Sequence, residues 1–290
     1  MALGRYEFIV DEQHDGKTLK TFLRQSCGIS ARSMTVIKYN GGTIKVDNQL
    51  LRAHDIIHAN DTVVITLPAE HNEITPVEGV FDILYEDDYL LIVNKPADMP
   101  VHPTKVHQLD TLANIVSYYR KSRGEDYLFR ALNRLDKDTS GCVVLAKDRV
   151  AYSLVKPTVS KTYIAICEGI IEKDGVVDTP IALLPESKIK RSISESGAEA
   201  VTHYHPISYG NGHTMCKLWL ETGRTHQIRC HMSSIGHPLA GDDLYGGSLR
   251  LIRRQALHCQ TVCLVHPVTH KKIVLTTEIP NAFYRIINEG

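Results

Sequence analysis

The chain has 290 residues, of which 43% are hydrophobic and 23% charged, enough apolar content for packed cores and too much for a disordered chain. Its 33 Lys and Arg balance 33 Asp and Glu, which excludes a uniformly basic nucleic-acid coat but leaves room for a local basic face. At roughly 150 residues per domain the length suggests about two domains.

The opening MALGRYEFIV lacks the basic-then-apolar order of a signal peptide, and no apolar run reaches the ~18 residues of a membrane span. Seven cysteines without paired spacing read as reduced thiols in a cytoplasmic protein. Between Lys17 and Leu67 seven Lys and Arg stand against three Asp. Leu19, Phe22 and Leu23 recur at helical spacing, with Lys17, Lys20 and Arg24 on the opposite face. Ser30 is placed to cap a second helix, which Gly41-Gly42 ends. TIKV, QLL and TVVITL then read as short strands, with turns at Asp47-Asn48 and Asn60-Asp61.

From Pro68 to Asn94 the balance reverses, with seven Asp and Glu and no Lys or Arg. Such a sign change marks a domain boundary, placed near Asn72 in a Pro- and Gly-bearing linker. Two domains are expected, 1–72 and 73–290. Beyond the linker, DYLLIVNK, GCVVLAK, KTYIAICEG, THYHPI and MCKLWLET read as strands. Asp110 is expected to cap a helix through TLANIVSYYR. Strands and helices do not alternate regularly, so the class is α+β rather than doubly wound.

Two constellations carry chemistry. Asn133-Arg134-Leu135-Asp136-Lys137-Asp138-Thr139-Ser140-Gly141 is a polar loop that enters a buried strand, and loops at strand ends are where sites are carried; a solvated turn with an exposed ion pair is the plain alternative. Thr222-Gly223-Arg224-Thr225-His226-Gln227-Ile228-Arg229-Cys230-His231-Met232 packs two Arg, two His and a Gln into eleven residues. Its spacing predicts a helix opened by Gly223, whose N-terminus would suit phosphate; the alternative is a surface helix with satisfied polar groups. His226, Cys230, His231, His258, Cys259, Cys263 and His266 do not fall in paired ligand spacing, so no zinc site is expected. No phosphate loop, dinucleotide fingerprint or Gly-x-Ser-x-Gly elbow occurs.

RLDKDTSGCVVLAKD resembles the signature of the RluA family of pseudouridine synthases. YEDDYLLIVNKPADMPVHPT, KTYIAICEG, TGRTHQIRCHMSSIGHPLAGDDLYG and RQALHCQTVCLVHPVT resemble the other blocks of that family, in order, over about residues 80–285. The Thr-His-Gln-Ile-Arg form separates it from the RsuA branch. Residues 17–67 look like the small RNA-binding domain named after the fourth ribosomal protein of the small subunit. Three departures stand out: Asn133 replaces the usual His, Asp98 takes a turn position where Gly is common, and Pro157 falls where the family has a helix.

The resemblance implies isomerisation of uridine to pseudouridine in structured RNA, ribosomal more readily than transfer RNA. It implies a catalytic domain on a mixed, largely antiparallel sheet. No cofactor, metal or second substrate is implied, no membrane partner is expected, and a monomer is favoured. By resemblance Asp136 is the catalytic carboxylate, in a dry pocket, with Arg229 as its charge partner and Tyr163 against the uracil. An adjacent guanidinium favours the charged form of a carboxylate and fixes its orientation. Arg134 is placed to fill the space left by an extruded base or to grip the backbone, and Arg224, His226 and Gln227 to contact RNA or support the pocket. A second basic region runs from Thr222 to Lys272, seven Lys and Arg against two Asp. A non-catalytic RNA-binding or ribosome-assembly protein is the alternative, and a nucleoside hydrolase a weaker one.

Overall fold

A computed structural model describes residues 4–70, 74–125 and 127–289. The boundary expected at Asn72 lies outside the described residues.

The first layer is a four-stranded sheet built from β1 (Arg5–Ile9), β2 (Thr43–Val46), β3 (Gln49–Leu50) and β4 (Thr62–Thr66), in the order β1-β4-β2-β3. Helices α1 (Leu19–Gln25) and α2 (Ala31–Tyr39) cover it. Thr18 and Ser30 cap them by accepting the N–H of the residue three further on, as expected of a hydroxyl at that position. Asp47 and Asn48 both adopt positive φ, the geometry of a two-residue hairpin turn that Asp and Asn tolerate best. Tyr6, Leu19, Phe22, Leu23, Ile37, Val63 and Ile65 are fully buried between these layers.

The larger part is a ten-stranded sheet. In chain order it comprises β5 (Asp82–Glu86), β6 (Leu90–Lys95), α3 (Leu112–Ser122), β7 (Arg130–Ala131), β8 (Ser140–Ala146), α4 (Arg149–Val155), β9 (Ser160–Glu168) and β10 (Gly175–Asp178). There follow β11 (Ile181–Leu183), β12 (Arg191–Ile193), β13 (Val201–Gly210), β14 (His213–Leu220), α5 (Gln227–Ser234), β15 (Leu257–Val265), β16 (Lys272–Thr276) and α6 (Asn281–Glu289). The sheet order is β10-β13-β14-β9-β15-β8-β6-β5, with β7 on β8 and β16 on β15; β11 and β12 form a separate hairpin. Among the described residues only β8 and β15 run parallel, so the sheet is mixed and largely antiparallel, as expected. All seven residues of β8 are buried, which is why this strand reads as an unbroken apolar run.

Two sequence expectations are corrected locally. Thr111, not Asp110, caps α3, in a reciprocal box with Asn114; Asp110 instead accepts from His107 Nδ1 at 2.6 Å. Helix α5 begins at Gln227, not Gly223, after His226 in the left-handed region with φ 57°. The cause is Gln227 itself, whose Oε1 accepts from the Arg224 N–H and the Thr222 hydroxyl, both at 2.9 Å. That ties residues 222–225 into a turn and removes them from the helix.

Three acids of the run between Pro68 and Asn94 are held in ion pairs. Glu70 pairs with Arg130 and Arg149, Glu86 with Lys147 at 2.8 Å and Asp87 with His266 at 2.8 Å. The two parts share α4: Val150 belongs to the core of the four-stranded sheet, and Leu154 packs against it. Tyr6 donates to Asp148 Oδ2 at 2.7 Å in a buried contact, while Asp148 caps α4 through the N–H groups of Val150 and Ala151. Burial raises the pKa of Asp148 despite these donors.

Candidate active site

The loop from Asn133 to Thr139 emerges beside the buried end of β8. Asn133, the departure from the family pattern, accepts from Val144 N–H at 2.8 Å and donates to Cys142 carbonyl at 3.0 Å, so it stitches the loop base to β8. Leu135 is buried while Arg134 on its N-terminal side is exposed, the alternation of an extended chain. Gly141 has φ 111°, and a Cβ there would lie 2.2 Å from the Cys259 carbonyl oxygen. Only glycine lets β8 approach β15 this closely. Asp98 adopts φ 60° and pairs with Lys137 at 2.9 Å.

Asp136 lies at a cavity of about 50 Å³, lined among others by Arg134, Tyr163, Arg224, His226, Gln227 and Arg229. Every residue singled out for the site in the sequence therefore meets at one hollow. Arg229 Nη1 donates to Asp136 Oδ2 at 3.2 Å. The carboxylate is 26% exposed, so the expectation of a dry pocket is corrected: the side chain is partly open to solvent.

Asp242 is the residue that sequence reasoning missed. It is 1% exposed and takes Arg229 Nε and Nη2 at 2.6 and 2.7 Å, a two-point fork that fixes the guanidinium plane. Burial opposes the charge of Arg229, but Asp242 and then Asp136 more than offset it, so its pKa lies above the ordinary value. The Tyr245 ring lies against the same guanidinium, 5.1 Å from its centre. The signal for Asp242 was the Ala-Gly-Asp-Asp run after Arg229, whose two acids have no distinguishing spacing.

Tyr163 stands opposite Cys259 on β15 and Leu218 on β14. It is 6% exposed, and burial raises its pKa. Tyr245 hydroxyl accepts the Arg191 N–H at 2.8 Å and lies 3.1 Å from His226 Nδ1. Its single proton is then free to go to Nδ1, leaving Nε2–H to face Asp136 at 3.8 Å. Burial lowers the His226 pKa, consistent with this neutral tautomer. Gln227 is 2% exposed, and its Nε2 donates to Val201 carbonyl and Thr202 Oγ1. Its carboxamide is thus committed to protein partners. Arg224 is exposed and spends its Nε on the Glu199 carbonyl.

A carboxylate, a fixed guanidinium, a phenol and a neutral imidazole around one hollow suit proton transfer or nucleophilic attack on a small flat ring. Residues 89–234 match the family model described as RNA pseudouridylate synthase. The chain belongs to the RNA pseudouridylate synthase family. It is 39% identical to an uncharacterized RNA pseudouridine synthase of Bacillus subtilis over 94% of this chain and 93% of that protein. It is 35% identical to the ribosomal large subunit pseudouridine synthase D of Pseudomonas aeruginosa, covering 85% and 83% of the two chains. The human RNA pseudouridylate synthase domain containing 1 superposes with a TM-score of 0.57 at 26% identity, over 69% of this chain and 83% of that one.

The RluA-family resemblance is borne out, and the protein is an isomerase acting on RNA. The non-catalytic alternative finds no support, since these pseudouridine synthase relatives align over nearly the whole chain. Among the described residues no helix is long and apolar enough to cross a membrane, and no cluster of His, Cys, Asp and Glu could hold a metal ion. The seven cysteines are free.

Proposed function

We propose that this pseudouridine synthase modifies uridines in ribosomal RNA, in the cytoplasm and as a monomer, with Asp136 as the catalytic carboxylate. The observation that carries this reading is the Asp136–Arg229–Asp242 line at the cavity that also holds Tyr163. Relatives named as large-subunit synthases support ribosomal over transfer RNA.

The reaction is balanced within one nucleotide. The bond from ribose C1′ to uracil N1 breaks, a bond from C1′ to C5 forms, C5 loses a proton and N1 gains one. Asp136 attacks the sugar or the base, or removes a ribose proton; each role needs a carboxylate oxygen directed at the cavity. Arg229 engages Oδ2 through Nη1 alone and leaves Oδ1 free for the reaction, because Asp242 holds its Nε and Nη2. The Tyr163 ring stacks on the uracil, and its hydroxyl, which burial keeps protonated, hands its own proton to water as it takes the one leaving C5, so that the phenol ends neutral and water carries the proton to N1. Extruding the base costs a few kcal/mol, and exposed Arg134 fills the gap or grips the backbone. Residues 1–72 form an RNA-binding domain whose basic surface holds the substrate through phosphates, which makes binding salt-dependent.

The test uses total RNA from cells lacking the protein. Incubation with the purified protein should create pseudouridine at defined ribosomal positions, found by chemical mapping, and Asp136→Asn should create none. The same positions modified by Asp136→Asn would overturn the assignment, and release of free uracil would indicate hydrolysis instead.

A further inference from the structure

The turn that follows Asp136 is gripped from behind, residue by residue. Lys95 Nζ donates to the Lys137 carbonyl at 3.0 Å. Arg254 Nη1 donates to the Asp138 carbonyl at 3.0 Å. Gln255 Nε2 donates to Thr139 Oγ1 at 3.3 Å. His258 Nδ1 lies 2.8 Å from Ser140 Oγ. Three of these four grips come from the short stretch Arg254–His258, which precedes and enters β15 beside β8.

The direction of each bond is fixed by its neighbours. Thr277 hydroxyl donates to the Gln260 carbonyl at 3.2 Å, so it accepts from His258 Nε2–H at 2.8 Å. His258 Nδ1 is left to accept from the Ser140 hydroxyl. Arg254 also donates from Nη1 to the Gln255 carbonyl at 3.1 Å, and its guanidinium lies 5.6 Å from the centre of the Phe283 ring. Among the described residues no carboxylate pairs with Arg254. Asp138 attracts this half-buried cation without outweighing its burial, which lowers the Arg254 pKa, and the hydrogen bonds of Arg254 go to main-chain carbonyls of the turn and of its own neighbour. Behind it opens a cavity of about 570 Å³ lined also by Asp82, Lys95, Ser140, His258 and Glu278.

Among the described residues the carboxylate of Asp136 has one hydrogen-bond donor, Arg229, with His226 Nε2 further off at 3.8 Å, so its aim depends on where the main chain holds it. Its own carbonyl accepts the Thr139 N–H at 3.1 Å, which makes Asp136 the first residue of the gripped turn. We propose that Arg254 and Gln255 are positioning residues for the uridine isomerisation, holding the Lys137–Thr139 turn so that Asp136 faces the cavity beside Tyr163. This inference rests on the reading of Asp136 as the catalytic carboxylate.

Release of tritium from total RNA labelled at uridine C5, made in cells lacking the protein, reads the reaction directly. Arg254→Ala should lower kcat about 100-fold, the loss that a misplacement of about 1 Å can cause. The half-saturating RNA concentration should stay within about twofold, since Arg254 makes no uniform binding contribution. Arg254→Lys, which restores one donor to the Asp138 carbonyl, should recover about tenfold of that loss. Unchanged kcat in Arg254→Ala, or a raised half-saturation point at unchanged kcat, overturns the inference; the second result would make Arg254 an RNA contact. Activity falling only in proportion to the unfolded fraction seen by circular dichroism also overturns it. Should Arg254→Ala fail to fold, Arg254→Lys decides alone: about tenfold lower kcat at unchanged half-saturation supports the inference, and wild-type kcat refutes it. Wild type and Asp136→Asn run alongside. No tritium release by wild type would refute the uridine reading, whereas an active wild type matched by Arg254→Ala would refute the positioning inference alone.

Discussion

Asp242→Ala tests whether the aim of Arg229 is set from behind. The variant removes two charge-assisted bonds of 2.6 and 2.7 Å from a guanidinium that is 8% exposed. Deleting one partner of a buried ion pair costs about 3–5 kcal/mol. Arg229 can recover part of that by turning further onto Asp136, so a loss near 3 kcal/mol is expected, about 6–12 °C in melting temperature for a domain of this size. The same turn would cover the oxygen that the reaction needs, and kcat should fall about 100-fold. Thermal unfolding and tritium release from labelled RNA read the two effects separately. Pairing the change with Arg229→Met should restore most of the stability, because the unpaired buried charge is gone, but none of the activity. A melting temperature within about 2 °C of wild type, together with full kcat, would refute the reasoning.

Further outcomes follow from the same packing. Gly141→Ala should cost at least about 3 kcal/mol, because its Cβ would meet the Cys259 carbonyl at 2.2 Å; urea unfolding near wild-type stability would contradict this. Tyr6→Phe should cost about 1–3 kcal/mol by stripping a donor from buried Asp148, which denaturant titration reads. His258 is pushed down from 6.5 to about 4 by burial and then by Arg254. Between those values the unfolded chain holds more protons than the folded one, so lowering the pH from 6.5 to 4 should remove about 3 kcal/mol of stability. Much of that acid sensitivity should vanish in His258→Gln; an unaltered stability–pH curve would show that another group carries it.

Much of the site was legible because chemistry and chain order coincide. Asp136 and Arg229 are 93 residues apart, yet each sits in a dense polar block that no packing demand explains. The strands were legible from their apolar runs, the first helix from Leu19, Phe22 and Leu23 at helical spacing and the second from its Ser30 cap. What escaped were effects settled by tertiary contact. The start of α5 depends on where the Gln227 carboxamide turns, and nothing in spacing shows that it reaches back to Thr222. Asp242 looks like any surface acid until its burial against Arg229 is seen. The acids between Pro68 and Asn94 read only as a reversal of charge marking a boundary, although Glu70, Glu86 and Asp87 are ion-pair partners for groups scattered from Arg130 to His266.

Helix α4 belongs to both cores at once, and that sets where this protein can be cut and rejoined. A chimaera spliced near residue 72 would import a foreign head that lacks Tyr6 and meets Val150 and Asp148 with the wrong surface. The transferable unit is residues 4–70 together with the outward face of Arg149–Val155, two segments separated by the first four strands of the synthase sheet. Grafting a different head onto this body therefore means redesigning one short helix in the middle of the gene as well as replacing its beginning.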